Sequence, residues 1–108
     1  MSQKSELSEI DHITLTVSNL DSSIKWYQSS FHCDLLYQSK TLAILKFNNI
    51  KLILSLPSDQ RPHVAFISPN AETFGEILEQ SDLCLSTFIS DPTGNPIELV
   101  KNKFLETL

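Results

Sequence analysis

Apolar and polar residues first alternate with a period of two. The segment from residue 11 to residue 17 reads DHITLTV and alternates strictly. Its apolar residues Ile13, Leu15 and Val17 share one face, and its polar residues share the other. This period predicts a strand with one dry side and one polar side.

A helical period follows this strand. Ile24, Tyr27 and Phe31 stand at the i, i+3, i+7 spacing of one buried stripe, and Asp21 is placed to cap the helix. Three more segments rich in Leu and Ile predict three strands, and Asn48-Asn49 suits the tight hairpin between the last two. These segments are residues 34–38, 41–47 and 50–56.

The same order begins again after the turn residues 57–59. Residues 63–67 alternate, with Val64 and Phe66 on one side. A second helical stripe is predicted beyond Pro69-Asn70. Its members are Phe74, Ile77 and Leu78.

An offset of 51 residues aligns the two halves of the sequence and matches His12 with His63. The chain therefore predicts one domain over residues 1–108 that consists of two repeats, at about 10–57 and 62–102. We expect an α+β fold in which two βαβββ units form a curved mixed sheet around a cavity, with the helices on the outer face.

Composition and charge exclude several classes of protein. The chain has 108 residues and a formal net charge of −5, with 8 basic residues. Nucleic-acid binding needs clustered Lys and Arg, so we expect no nucleic-acid partner. The longest apolar run is too short to cross a bilayer, and residues 1–10 lack the apolar core of a signal peptide. With the unpaired spacing of Cys33 and Cys84, these features predict a cytoplasmic protein without a membrane partner.

Three side chains carry the candidate chemistry. Parity places His12 and His63 on the inner, helix-free face, at equivalent positions of the two repeats. A Pro- and Gly-containing turn, residues 91–96, leads into a last strand whose parity turns Glu98 to the same face. A carboxylate inside a sheet is costly unless it is paired or binds a cation. Two imidazoles and one carboxylate form a set that holds a divalent ion and leaves positions open for substrate.

At this point the sequence resembles the vicinal oxygen chelate superfamily, which contains glyoxalase I, extradiol dioxygenases, bleomycin-resistance proteins and fosfomycin-resistance thiol transferases. The resemblance covers about residues 10–102. Three motifs carry it, and the last is the most specific: DHITLTV at 11–17 with a helical Trp-Tyr pair, PHVAF at 62–66, and DPTGNPIEL at 91–99.

The resemblance implies that His12, His63 and Glu98 occupy the family's metal positions. It implies a divalent ion as cofactor, with Fe, Mn, Zn, Ni and Mg all open, and a small-molecule substrate. It also implies a homodimer, because family members of this length often complete each site with the first-strand histidine of a second chain. Thr14 stands where the fosfomycin enzymes contact their substrate.

The sequence departs from glyoxalase I at one ligand. That enzyme has a fourth ligand, a glutamate, on the last strand of its first unit, where the inner-face candidates here are Lys51, Ile53 and Ser55. A three-ligand site is therefore expected. Lys51 is the second candidate for contact with substrate, and the alternative for Lys51, Lys46 and Arg61 is an ordinary solvated charge.

Three functions remain open. The first is a metal-dependent lyase, dioxygenase or thiol transferase in which the ion chelates neighbouring oxygens of a small substrate and acts as a Lewis acid. The second is a metal-free binding protein of the bleomycin-resistance type, whose acidic crevice sequesters a cationic ligand. The third is a structural relic that binds neither ion nor ligand.

Overall fold

The computed structural model describes residues 7–73, 78–81 and 84–101. Element bounds follow the predicted strands closely, and residues 34–38 and 63–67 form strands with the predicted bounds. The described elements, in chain order, are β1 (Ile10–Thr16), α1 (Leu20–Ser30), β2 (Asp34–Gln38), β3 (Leu42–Lys46), β4 (Lys51–Ser55), β5 (His63–Ile67), a 3-10 helix (Ala71–Thr73), β6 (Leu78–Ser81), β7 (Cys84–Ser90) and β8 (Pro96–Val100).

The described strands form one mixed sheet in the order β2-β3-β4-β1-β5-β8-β7-β6. β1 and β5 lie antiparallel at the centre, and each has a parallel neighbour, β4 for β1 and β8 for β5. The second half of this order repeats the first half about the β1–β5 pair. The predicted α+β class and mixed sheet are confirmed.

α1 packs against the first half of the sheet. Leu20 and Ile24 of the helix form a buried core with Ala43, Leu45 and Leu54 of the sheet. The predicted cap is wrong by two residues. Asn19 is the N-cap and its Oδ1 accepts a hydrogen bond from the Ser22 backbone N–H at 2.9 Å, whereas Asp21 lies in the first turn and accepts a hydrogen bond from Gln38.

The second half keeps the order of the first with one difference in the described residues. A 3-10 helix at Ala71–Thr73 stands where the second helix was predicted to begin. Phe74 and Ile77 of the predicted stripe lie outside the described residues. Leu78 belongs to strand β6, so its assignment to a helix is wrong.

Burial on β1 differs from the predicted dry and polar sides. Leu15 pairs with Leu54, which contacts α1, so the apolar residues do face the helix. Leu15 is nevertheless 37% exposed, because α1 covers only part of that face, whereas His12 and Thr14 on the inner face are each 1% exposed. The buried His12 is hydrogen-bonded at both ring nitrogens, to Asp11 and Glu98.

No helix in the described part of the chain is long and apolar enough to cross a membrane.

Candidate metal centre

The register of three central strands brings the candidate ligands together. His12 of β1 pairs with Ala65 of β5, and Ala65 pairs in turn with Glu98 of β8. Two residues further along β1, in the next inner-face position, Thr14 pairs with His63. Ala65 is fully buried and its side chain is a single methyl group. Three longer side chains can therefore meet above it.

The three side chains converge on one carboxylate oxygen. The Nε2 atoms of His12 and His63 lie 3.2 Å and 2.9 Å from Oε1 of Glu98. One potential ligand atom from each of the three residues lies within 4.8 Å of the others. The residues are 1%, 6% and 3% exposed, respectively. The convergence that the sequence predicts is present, and all three donors come from a single chain.

The second nitrogen of each imidazole is hydrogen-bonded away from the cluster. Nδ1 of His12 donates to Oδ2 of Asp11 at 2.7 Å, and Nδ1 of His63 donates to the backbone carbonyl of Arg61 at 2.6 Å. A carboxylate and a carbonyl can only accept, so each of these two hydrogen bonds requires a proton on Nδ1. Nε2 of each ring faces Oε1 of Glu98, and Nδ1–H is the tautomer in which Nε2 can bind a metal ion in place of a proton.

The pKa values of the cluster reflect mutual stabilisation. Burial raises the pKa of Glu98, but hydrogen bonds from His12, His63 and Ser86 outweigh it and lower that pKa to about 2. Burial lowers the pKa of His12, but its hydrogen bonds to Asp11 and Glu98, with their charges, outweigh burial and raise that pKa above 6.5. The carboxylate is therefore ionised at neutral pH, which is the form that binds a cation.

The donor set fits a small divalent ion. Two donors about 2.1 Å from a common ion and about 90° apart lie about 3.0 Å from each other. The two distances from Nε2 to Oε1, 3.2 Å and 2.9 Å, are close to that separation. Two neutral imidazole nitrogens and a carboxylate oxygen suit Fe, Mn, Zn or Ni better than Mg, which prefers oxygen ligands.

Two further residues complete the surroundings, and sequence reasoning found neither. Ser86 of β7 is fully buried, and its Oγ donates to Oε2 of Glu98 at 2.7 Å. Phe88, two residues on, places its ring edge-on to the His63 imidazole with centroids 5.0 Å apart. Both contacts depend on the β7–β8 register, which leaves no local signal in the sequence.

A third missed residue is Asp11, which is 5% exposed and contacts His12. A carboxylate next to a histidine is visible in the sequence, but neighbours on a regular strand point to opposite faces. Here the register between β1 and β5 shifts between Ile10 and His12, so the strand is irregular at Asp11.

The two predicted substrate contacts lie beside the cluster. The Oγ1 of Thr14 is buried and has no hydrogen-bond partner among the described residues. Lys51 pairs with His12 across β1 and β4, and its Nζ lies 3.4 Å from Oδ1 of Asp11. Its side chain is 14% exposed, whereas Lys46 and Arg61 are exposed.

Two cavities have His63 in their walls. One, of about 290 Å³, is lined by residues that include Arg61, His63 and Phe88. The other, of about 390 Å³, has both Thr14 and His63 in its wall. Each is large enough for a small molecule of a few heavy atoms.

Comparison with known proteins gives the fold. No protein-family model matches the chain. A hypothetical protein of Bacillus halodurans shares the fold with a TM-score of 0.66 and 16% identity, over 91% of this chain and 96% of that one. Methylmalonyl-CoA epimerase of Mycobacterium tuberculosis does so with a TM-score of 0.59 and 18% identity, over 92% and 91% of the two chains. An NAD-dependent benzaldehyde dehydrogenase of Legionella pneumophila shares the fold with a TM-score of 0.61 and 15% identity, over 82% of this chain and 96% of that one.

At such identities the similarity establishes the fold and does not transfer an activity. The epimerase has the fold of the vicinal oxygen chelate superfamily. The resemblance predicted from three sequence motifs is thus confirmed at the level of the fold.

Proposed function

We propose that this chain is a divalent-metal-dependent enzyme that acts on a small substrate bound through two neighbouring oxygens. One observation carries the proposal. Two histidines, each anchored by a hydrogen bond at Nδ1, and an ionised glutamate direct one donor atom each to a common point. When bound, a divalent ion at this point would supply Lewis-acid stabilisation of the negative charge that develops on a substrate oxygen.

Each residue has a role in this proposal. His12, His63 and Glu98 are the ligands, and three protein donors leave coordination positions open. The Thr14 hydroxyl, buried without a described partner, donates a hydrogen bond to a substrate oxygen. Lys51 places a positive charge beside His12 and favours an anionic form of the substrate.

The inner face argues against a glutamate that moves the substrate proton, as in glyoxalase I. Glu98 pairs with Ala65 of β5, and the equivalent pair in the first half is Ile53 with Thr14 of β1. Ile53 is 2% exposed and packs with Leu42 and Ile44. An apolar side chain therefore stands where that glutamate would be. We accordingly propose a site with three protein ligands.

Metal analysis tests the proposal. Protein purified without chelator is analysed by inductively coupled plasma mass spectrometry, as wild type and as His63→Ala. We expect close to one equivalent of a transition metal in the wild type and at least a tenfold loss in His63→Ala, with the far-UV circular dichroism unchanged.

The chain offers a matched control. His32 is exposed and lies outside the donor cluster, so His32→Ala should keep its metal. Wild-type protein that takes up no metal, even after incubation with Fe, Mn, Zn or Ni, would contradict the proposal. That result would favour the metal-free binding protein, and titration with a cationic ligand would then separate binding from a structural relic.

A further inference from the structure

The irregularity in β1 changes what Asp11 can reach. Ile10 pairs with Phe66 and His12 with Ala65, so two steps along β1 correspond to one step along β5. The extra residue is Asp11. In such a bulge consecutive side chains turn to the same side of the sheet. Asp11 and His12 are accordingly both buried, at 5% and 1% exposure, although they are adjacent in the chain.

Asp11 is held at both oxygens. Its Oδ2 accepts the hydrogen bond from Nδ1 of His12 at 2.7 Å, and its Oδ1 lies 3.4 Å from Nζ of Lys51. Lys51 stands directly across β1 and β4 from His12, so the three side chains form a continuous chain along one row of the sheet. A buried carboxylate with two cationic or donating partners has a defined orientation.

The two histidines are supported differently. His63 donates its Nδ1–H to a neutral backbone carbonyl, whereas His12 donates to a carboxylate. A carboxylate is the stronger acceptor, and its charge increases the electron density of the ring and hence the strength of Nε2 as a ligand. The cluster therefore contains one strong and one ordinary imidazole donor.

We propose that Asp11 is a positioning residue that holds His12 as the Nδ1–H tautomer and makes its Nε2 the stronger nitrogen donor of the site. The proposal rests on the proposed function for its metal, but the tautomer itself is a property of the metal-free chain. Asp11 touches neither ion nor substrate and acts only through His12.

Two variants separate the charge of Asp11 from its hydrogen bond. Asp11→Asn keeps the size and an acceptor oxygen but removes the charge, and Asp11→Leu removes both. Loss of such an outer partner typically costs about 10- to 100-fold in metal affinity. We expect about a tenfold loss for Asp11→Asn and a larger loss for Asp11→Leu, measured by competition with a chromophoric chelator.

A control variant removes an equal charge elsewhere on the same row. Asp34 of β2 is exposed and pairs with Lys46, which pairs with Lys51. Its strand is three strand steps from β1, about 14 Å at the usual spacing. Asp34→Asn should leave the metal affinity within about twofold of wild type.

The tautomer is read directly by ¹⁵N NMR of the imidazole rings in metal-free protein, at a pH where the rings are neutral. The chain has 3 histidines, so His63→Ala and His32→Ala spectra assign His12. We expect Nδ1–H in the wild type and loss of that preference in Asp11→Leu. A His12 ring that stays Nδ1–H in Asp11→Leu overturns the inference, as does metal affinity unchanged in both variants. Wild-type protein that binds no metal overturns the proposed function, and the tautomer still decides the role of Asp11.

Discussion

Glu98 shows how a single buried carboxylate is kept ionised inside a sheet. One oxygen faces the two imidazoles and the other accepts a hydrogen bond from Ser86. An ionised carboxylate without such partners would be strongly destabilised by desolvation. The pKa of about 2 is the measure of this compensation, because partners that favour the charged form lower the pKa.

The metal-free protein should therefore lose stability in acid through Glu98. Its pKa is lowered from 4.5 to about 2 on folding, so its contribution is complete above pH 4.5 and is lost as the pH falls through 2. The difference corresponds to about 3 kcal/mol. Urea denaturation of metal-free protein between pH 7 and pH 2 should show this loss in the wild type and a smaller one in Glu98→Gln.

His12 has the opposite effect on the pH dependence of folding stability. Its pKa is raised above 6.5, so its contribution to folding stability is complete below pH 6.5 and is lost as the pH rises through the raised value.

The control for the Glu98 experiment is Asp34→Asn. This variant changes an exposed carboxylate and should follow the wild-type dependence of stability on pH. An equal loss of stability between pH 7 and pH 2 in the wild type and in Glu98→Gln would show that the Glu98 carboxylate is not paired as described.

Single residues of the site differ in how far the sequence predicts them. The two histidines and Glu98 follow from parity on strands and from their repeat positions, which are local properties. Ser86 and Phe88 reach the site through the pairing of β7 with β8, a non-local register that no short pattern encodes. The role of Asp11 depends on one extra residue in β1.

Among the elements, the turn before β8 determines where Glu98 stands. Asp91 accepts hydrogen bonds from the backbone N–H groups of Thr93 and Asn95 and from the Asn95 side chain, at 2.8–3.0 Å. The side chain and backbone of Asn95 lower the pKa of Asp91. Gly94 completes the turn with φ +98°, a conformation that L side chains rarely adopt.

Gly94→Ala should therefore destabilise the protein through its backbone alone. An added Cβ meets no described atom within 4 Å, so the cost is conformational, about 1–2 kcal/mol. For a domain of this size we expect the thermal midpoint to fall by about 4–12 °C. Differential scanning calorimetry measures it.

Thr93→Ala provides the comparison at the same turn. Thr93 is exposed, and its recorded bond to Asp91 comes from its backbone N–H, so this variant should stay within about 0.5 kcal/mol of wild type. Equal stability of Gly94→Ala and wild type would contradict the assigned backbone conformation.

Element boundaries were predictable where the pattern is purely periodic. β2 and β5 have the predicted bounds, and β3 and β4 lie within the predicted segments. The cap at Asn19 instead of Asp21 could not be chosen from sequence, because both residues are good caps and the choice depends on where the chain leaves β1. The predicted second helix fails at Leu78, which pairs with Ser86 in the sheet.

At the scale of the whole molecule, the symmetric order of the described strands about the β1–β5 pair explains why the ligands meet. The antiparallel contact of β1 with β5 brings equivalent residues of the two halves to one centre. The two halves differ in the ligand set, where Ile53 in the first half corresponds to Glu98 in the second. A substitution at Ile53 can therefore add a fourth protein ligand.

Ile53→Glu should introduce a fourth ligand. A carboxylate placed among Leu42 and Ile44 destabilises the metal-free protein, and a bound ion should recover much of that stability. We expect Mn, Zn or Ni to raise the thermal midpoint of Ile53→Glu more than that of Ile53→Gln, which has the same size without the charge. Equal metal-induced shifts in the two variants would contradict the pseudosymmetric placement.

A mixing experiment tests whether the site belongs to one chain. The sequence resemblance predicts a homodimer, which light scattering would detect, and a site shared between chains. In the structure, His12, His63 and Glu98 meet within a single chain. Co-expressed His12→Ala and His63→Ala chains should therefore bind no more metal together than apart. Recovery of about one site per mixed dimer would show that β1 is exchanged between chains.

The most direct measurement is anomalous X-ray diffraction from crystals of chelator-free protein, recorded on both sides of a transition-metal absorption edge. We expect one anomalous peak per chain, about 2.1 Å from the Nε2 atoms of both histidines and from a Glu98 carboxylate oxygen. The contrary result would come from crystals grown with added metal. It would be the absence of anomalous signal, with well-ordered side chains and Oε1 of Glu98 in direct hydrogen bonds to both imidazoles.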